Sequence, residues 1–359
     1  MVSKDEKDAG VIDLPRRPLR VSIVASPALA VPPVGYGGTE TVVHTLAAAL
    51  QEVGCMVKVL AAGTTPNSFS APVGLDLPSP EAVACELAQV ANAYQYCTNV
   101  DLIHDHTKVA GVLLAKWASV PVLTTVHNDC SPIREEIYRS YPDHHYVFLS
   151  QAHADRYPGI LPYGVVFNGI DLRQIPFRAQ GREDYLLFLG RISAVKGAHE
   201  AIIVAQSAKL PLILAGPVES SQKDYFANRV APHIDGTLIR LAGEVAGSKK
   251  WLLLAKARAL LMPLQWEEPF GLVMIEAMAC GTPVIAFARG AAKEVVCHGI
   301  TGFLANDRPG LLEGIANLAA INPYECRKWV SKKFSATTMA ANYLALYHRL
   351  FEEVKEGVS

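Results

Sequence analysis

The sequence is short of charge of either sign. Only 19% of its 359 residues are Asp, Glu, Lys or Arg, and the two signs nearly cancel to a net −1. A chain without a basic excess has little with which to hold a nucleic acid through its phosphates, so no nucleic-acid partner is expected. It also lacks any Cys-x-x-Cys pair. Its seven cysteines are odd in number and scattered, which suits reduced thiols in a cytoplasmic setting better than a disulfide framework or a zinc site. No apolar run is long enough to cross a bilayer. The best uncharged stretch, 21–39, is broken by three prolines and three glycines, so membrane association is expected to be peripheral at most. The N-terminal "MVSKDEKDAG" is charged and carries no apolar segment of the kind a secretion signal needs. Also missing are a G-x-G-x-x-G fingerprint and an acidic residue after "VKVLAAGTT". Their absence discounts a nicotinamide dinucleotide, and no cofactor is expected.

What is present is apolar periodicity, in half of all residues. Residues 1–17 are expected to be a disordered lead. "LRVSIVAS" then reads as a buried strand, followed by a long loop and the helix "TETVVHTLAAALQEVG". Val42, Val43, Leu46 and Leu50 share one face of that helix, Thr39 is placed to cap it and Gly54 to end it. "MVKVLAA", "VDLIHDH", "VPVLTTVH" and "YVFLS" continue as strands. A turn-rich break falls in "FNGIDLRQIPFRAQGRED", and the alternation starts again with "YLLFLG", "PLILAG", "TLIRLAG", "ARALLMPL" and "PVIAF". Strands alternating with helices imply parallel sheets wound on both faces, here twice. The fold class is therefore α/β, with two Rossmann-like doubly wound domains, 18–168 and 169–334, facing an interdomain cleft. Ligands of such sheets lie beyond the carboxyl ends of the strands. The last segment, 335–359, reads as a long helix able to pack on either domain.

Several polar residues fall at those strand ends. "PPVGYGGTE" sets Gly35, Gly37 and Gly38 just before a helix, where backbone N–H groups can approach an anion; a connecting turn would look the same. "LGRISAVKG" places Arg191 and Lys196 where both can reach one diphosphate. His127 closes "VLTTVH", while Asp105 and His106 close "DLIHDH". Alternation along a strand points adjacent side chains apart, so "HDH" is not expected to bind metal. In "QWEEPFGLVMIEAMACGTPVIAF", two glutamates precede Pro-Phe-Gly and an apolar helix that carries Glu276. Taken alone, Glu276 could be a solvated edge residue. Gly281 and Pro283 mark the end of that helix.

Taken in order, "GYGGTE", "GRISAVKG" and "EEPFGLVMIEAMACGTPV" resemble the large family of retaining glycosyltransferases with the two-domain GT-B fold, usually called family 4. Glycogen and sucrose synthases are similar at a greater distance. The resemblance runs from about Leu19 to the C-terminus, with "NGID" at the interdomain linker. It implies that Glu268 contacts hydroxyls of a donor sugar and that Glu276 binds the ribose. It implies too that Phe270, Gly271 and Leu272 offer backbone N–H groups at the helix start, and that Arg191 and Lys196 hold the diphosphate. By the same resemblance Gly37 and Gly38 lie near the transferred sugar and His127 faces it. The base stacks against the loops at Gly216 and at Glu244 and Val245, and the C-terminal helix crosses back onto the first domain. The implied activity is hexosyl transfer from a UDP-sugar, or secondly a GDP-sugar, to an unidentified soluble acceptor. Catalysis is assigned to Glu268, His127, Arg191 and Lys196. No Asp-x-Asp triplet occurs, and Asp105 and Asp129 read as isolated carboxylates, so no metal is expected. Alternatives on the same scaffold are a sugar-nucleotide epimerase, a phosphorylase or a non-catalytic nucleotide-sugar-binding protein.

Overall fold

The computed structural model describes residues 17–27, 29–62, 80–355 and 357. The expected disordered lead therefore lies outside the described residues, apart from Arg17. That residue is fixed, its guanidinium donating to both oxygens of Asp101 at 2.8 and 2.7 Å.

The first half builds one six-stranded sheet. In chain order its elements are β1 (Arg20–Val24), α1 (Gly38–Glu52), β2 (Met56–Leu60), α2 (Pro80–Gln95), β3 (Leu102–Asp105), α3 (Val109–Leu114), β4 (Val122–Thr125), α4 (Pro132–Arg139), β5 (His145–Phe148), α5 (Gln151–Ala154) and β6 (Gly164–Val165). The strands lie in the order β2-β1-β3-β4-β5-β6, every pairing parallel. Parallel strands need crossovers, which place helices on both faces and explain the near-continuous burial of β1, β3 and β4. Thr39 does not cap α1. The helix starts one residue earlier, Gly37 is its cap without a side-chain bond, and Thr41 Oγ1 donates back to Gly37 O at 2.6 Å.

The second half repeats the plan. β7 (Leu186–Leu189), α6 (Ala198–Ala208), β8 (Leu212–Ala215), α7 (Lys223–Arg229), β9 (Ile239–Gly243), α8 (Gly247–Lys256), β10 (Ala259–Met262), α9 (Leu272–Ala279), β11 (Val284–Phe287), α10 (Ala292–Val295), β12 (Gly302–Ala305), α11 (Arg308–Ala316) and α12 (Pro323–Lys333) follow in order. The sheet order is β12-β11-β10-β7-β8-β9, again parallel throughout. Apolar clusters cover both faces, one under α8, α9 and α12, the other under α6 and α11. Strands β6 and β12 were not legible as strands. The first is two residues long, and the second, "GFLA", is too short for a period to show.

The chain crosses between the domains twice, and the crossings run side by side. Ile170 N donates to Phe334 O and Ala336 N to Ile170 O, both at 2.9 Å, so the linker and the returning chain form a short parallel bridge. The returning chain becomes α13 (Ala336–Lys355). Its buried residues Met339, Ala340, Tyr343, Tyr347 and Leu350 share one core with Val21, Ile23, Leu46 and Leu50 of the first domain. Tyr343 is 1% exposed. Removing such a ring leaves a cavity worth about 3–5 kcal/mol. Tyr343→Ala is accordingly expected to lower the urea midpoint, with hydrogen exchange accelerated in β1 and β3 before β7 and β10. Acceleration confined to the second sheet would contradict this packing.

Candidate functional site

The wall from the second domain is set by backbone contact between the loops after β7 and β8. Gly216 has φ +141°, and a Cβ there would collide with Gly190 O, so only glycine lets these two loops touch. Arg191 emerges next to Glu219, its Nη1 lying 3.2 and 3.1 Å from the carboxylate oxygens. Lys196 leaves the same loop and reaches Glu268 Oε2 at 2.5 Å. Trp266 donates its indole N–H to that oxygen at 2.9 Å, and the Lys196 ammonium lies over the Trp266 ring at 4.8 Å. The lysine and glutamate side chains are only 12% and 9% exposed. A pair so withdrawn from water persists only when both ends are satisfied, as they are here.

The adjacent glutamates divide their work. Glu267 accepts from Gly290 N and braces the loop, while Glu268 turns into the cleft. Phe270 is buried, its ring 6.1 Å from that of Phe167 and 5.9 Å from that of Phe334. Gly271 caps α9, so Leu272 opens the helix with its free N–H groups beside Glu268. Glu276 is no solvated edge residue. It is 4% exposed and accepts from Lys250 Nζ at 2.6 Å, and that lysine lies 4.5 Å over the Trp251 ring.

The first domain supplies the opposite wall. Tyr36 N, in the glycine loop, donates across the cleft to Glu244 Oε1 at 2.8 Å. A Cβ on Gly35 would stand 2.6 Å from the same oxygen, so a larger residue there would push the Glu244 carboxylate aside. Burial raises the pKa of the Tyr36 phenol, opposed by the Arg191 charge beside it. Gly37 packs on Pro33, whereas Gly38 faces open space. Val245 is buried behind Glu244, and Gly216 N donates to Gly243 O at 2.8 Å, joining the two loops expected to hold a base. Two further links tie the domains. Ser150 Oγ donates to Pro269 O at 2.8 Å, and Glu294 accepts from the backbone N–H groups of Gln151 and Ala152 at 3.0 and 2.8 Å.

His127 is half-buried and joined through Nε2 to His106 Nδ1 at 2.8 Å. Burial pushes its imidazole down to about 3, with His153 adding to the shift. Asp105 is buried and accepts from Thr107 and Tyr94, and Asp129 accepts from Arg156 at 3.3 Å. Among the described residues no three His, Cys, Asp or Glu side chains gather in a way that could hold a metal ion. No helix among them is long and apolar enough to cross a membrane.

The structure thus brings Arg191, Lys196 and Glu268 together under the glycine loop, with Glu276 further along α9. Sequence reasoning passed over Glu219, Lys250, Trp266 and Glu294. Glu219 had a signal, since it lies just past the carboxyl end of β8. Lys250 had another: a cation in the first turn of α8 opposes the helix dipole and asks for a tertiary partner.

Two family models match the chain, "Glycosyl transferases group 1" over residues 173–331 and "Glycosyltransferase Family 4" over residues 36–174. A glycogen synthase of Mycobacterium tuberculosis is 33% identical over 171 residues, 45% of this chain and 39% of that protein. The chain thus spans well under half the length of that curated relative. The crystal structure of AviGT4, a glycosyltransferase involved in avilamycin A biosynthesis, is 27% identical with a TM-score of 0.71, covering 93% of this chain and 98% of that one. HepE of Anabaena, solved in complex with UDP-glucose, is 21% identical with a TM-score of 0.68, covering 94% and 100%. The two sheets and the cleft between them are the GT-B arrangement.

The buried and half-buried histidines set how the fold answers acid. Burial holds His104, His106, His127, His144 and His153 below the ordinary 6.5, to about 3 for His127 and His144 and about 4 for His153. Once unfolded, each takes up a proton below about pH 6.5, so the unfolded chain binds more protons and stability drops as pH falls through that value. Asp105, raised by burial to about 6, acts in the opposite sense but offsets only one histidine. The urea midpoint is expected to fall between about pH 7 and about pH 5. A midpoint that held or rose would contradict the neutral histidines.

Proposed function

Because this chain belongs to the group 1 and family 4 glycosyltransferases, we propose that it moves a hexosyl unit from a nucleotide-diphosphate sugar to an acceptor hydroxyl, with retention at the anomeric carbon. The observation that carries the proposal is the Lys196–Glu268 pair, seated at the N-terminal end of α9 and under the glycine loop. A carboxylate there can accept protons from sugar hydroxyls, while the ammonium and the helix end suit a diphosphate. Residues 169–334 form the donor side, and 18–168 the acceptor side with 335–359 packed onto it.

Arg191 and Lys196 hold the phosphates, exchanging their present carboxylate partners, Glu219 and Glu268, for phosphate oxygens. The N–H groups of Phe270, Gly271 and Leu272 complete that cradle. Glu276 accepts the ribose hydroxyls, with Lys250 fixing one of its oxygens. The base lies against Gly216, Glu244 and Val245. Gly37 and Gly38 line the sugar, and the open space at Gly38 leaves it room. His127 meets the sugar from the first domain. In the transfer the bond from the anomeric carbon to the phosphate oxygen breaks, and its electron pair goes to the phosphate. The acceptor oxygen bonds to the same face of that carbon, and its proton passes to the leaving phosphate. Arg191, Lys196 and the α9 end stabilise the charge gathering there. A UDP-sugar is the first choice of donor and a GDP-sugar the second; HepE, which shares the fold, binds UDP-glucose. The acceptor is a soluble molecule.

Thermal-shift screening against nucleotide sugars tests the donor, because a ligand that binds only the folded state raises its stability. UDP-sugars are expected to raise the midpoint most, and no shift with any nucleotide sugar would overturn the proposal. Glu276→Ala is expected to raise donor KM about 10–100-fold with little change in kcat, as loss of a charged hydrogen bond equal in ground and transition states should. Glu268→Gln is expected to lower kcat about a hundredfold. Steady-state kinetics separate the two, and small equal effects on both parameters would remove these roles.

The cationic side of the cleft needs no divalent ion to balance a diphosphate. Transfer is therefore expected to survive excess EDTA. Activity lost in EDTA and restored by Mg²⁺ or Mn²⁺ would count against the roles of Arg191 and Lys196.

A further inference from the structure

A chain of buried polar side chains runs from the cleft to the C-terminal helix, and the proposed transfer does not use most of it. His127 Nε2 meets His106 Nδ1 at 2.8 Å. The His106 ring lies 4.1 Å from that of His104. His104 is bonded on both nitrogens, Nε2 to Thr125 Oγ1 at 2.8 Å and Nδ1 to the Tyr347 hydroxyl at 2.7 Å. Thr125 Oγ1 in turn meets the Tyr343 hydroxyl at 2.9 Å. Both tyrosines belong to α13, so the helix returning from the other domain pins the far end of the chain.

His106 is the informative member. It is 3% exposed, and its Nε2 is buried without a hydrogen-bond partner among the described residues. A neutral imidazole carries its single proton on one nitrogen or the other. If that proton were on Nε2, the molecule would bury an N–H with no acceptor, the rarer and costlier of the two defects. With the proton on Nδ1, His106 donates to His127 Nε2. His127 must then carry its own proton on Nδ1, since its Nε2 is taken by the bond from His106. The bond made by one ring nitrogen thus fixes what the other offers.

We infer that His106 is a positioning residue that locks His127 as an Nδ1–H donor towards the cleft. His127 then serves as a hydrogen-bond donor to a hydroxyl oxygen of the bound sugar, not as a proton acceptor. Only the identity of that ligand rests on the transferase reading; the tautomer is a property of the free protein.

The test is the side-chain ¹⁵N spectrum of the full chain labelled on histidine, near neutral pH and without ligand. His127 is expected to show a protonated Nδ1 and an unprotonated Nε2. In His106→Phe, which keeps a ring but removes the donor, His127 should move towards the Nε2–H form, and kcat/KM should fall about tenfold. In His106→Asn, whose amide N–H can take the place of Nδ1–H, the Nδ1–H form and most of the activity should return. An Nε2–H signal for His127 in the wild type overturns the inference. So does His106→Asn behaving like His106→Phe, which would reduce His106 to a space-filling role. An Nδ1–H signal in a protein that transfers no sugar would sink the transferase reading and leave the positioning role of His106 supported.

Discussion

Two carboxylates withdrawn from water anchor the second domain's wall of the cleft, and each is held in the same way. Glu268 pairs with Lys196, which lies over Trp266; Glu276 pairs with Lys250, which lies over Trp251. In both cases an indole face supports the ammonium, so the cation keeps favourable contacts as it leaves solvent. Deleting one partner of such a pair leaves an uncompensated buried charge, which costs far more than the intact pair contributes. The residues around the cleft therefore stand or fall in groups. The loop from Gln265 to Gly271 must hold Glu268 against Lys196, and the start of α8 must hold Lys250 against Glu276. Lys196 and Lys250 are thereby fixed in place on that wall.

The facing domain is registered to this charged wall by backbone as much as by side chains. Glu244 and Glu294 each reach over to main-chain N–H groups, at Tyr36 and at the start of α5 respectively, and Ser150 meets the carbonyl of Pro269. Any residue but proline keeps a main-chain donor, so these contacts depend chiefly on the two carboxylates. The contacts at Tyr36 and Pro269 lie close to the residues that would meet the sugar.

The α/β repeat was legible because apolar strands alternate with helices over most of the chain, and the eleven residues of "EEPFGLVMIEA" carry much of the family resemblance. Arg191, Lys196 and Glu268 were legible as strand-end or loop charges, and they do converge. The partners were harder. Nothing local to Lys250 or Glu219 says that they face Glu276 and Arg191, since those contacts span 26 and 28 residues and depend on the strand order. The start of α1 was misplaced because Thr39 has the chemistry of a cap, whereas Gly37 has the backbone geometry. His106 looked like one of three strand-end polar residues. Its role comes from an orphaned ring nitrogen, which only packing can create.

The paired crossing at Ile170 and Ser335 bears on how the domains can move. A single linker would allow swivelling about any axis. Two strands hydrogen-bonded side by side form a narrow ribbon, which bends readily across its flat face but resists shear along its length and splaying in its plane. With α13 anchored on the first domain beyond this ribbon, relative motion is reduced towards one degree of freedom, an opening and shutting about the ribbon itself. The two crossings act together as a stitched spine, which holds the facing domains in one register.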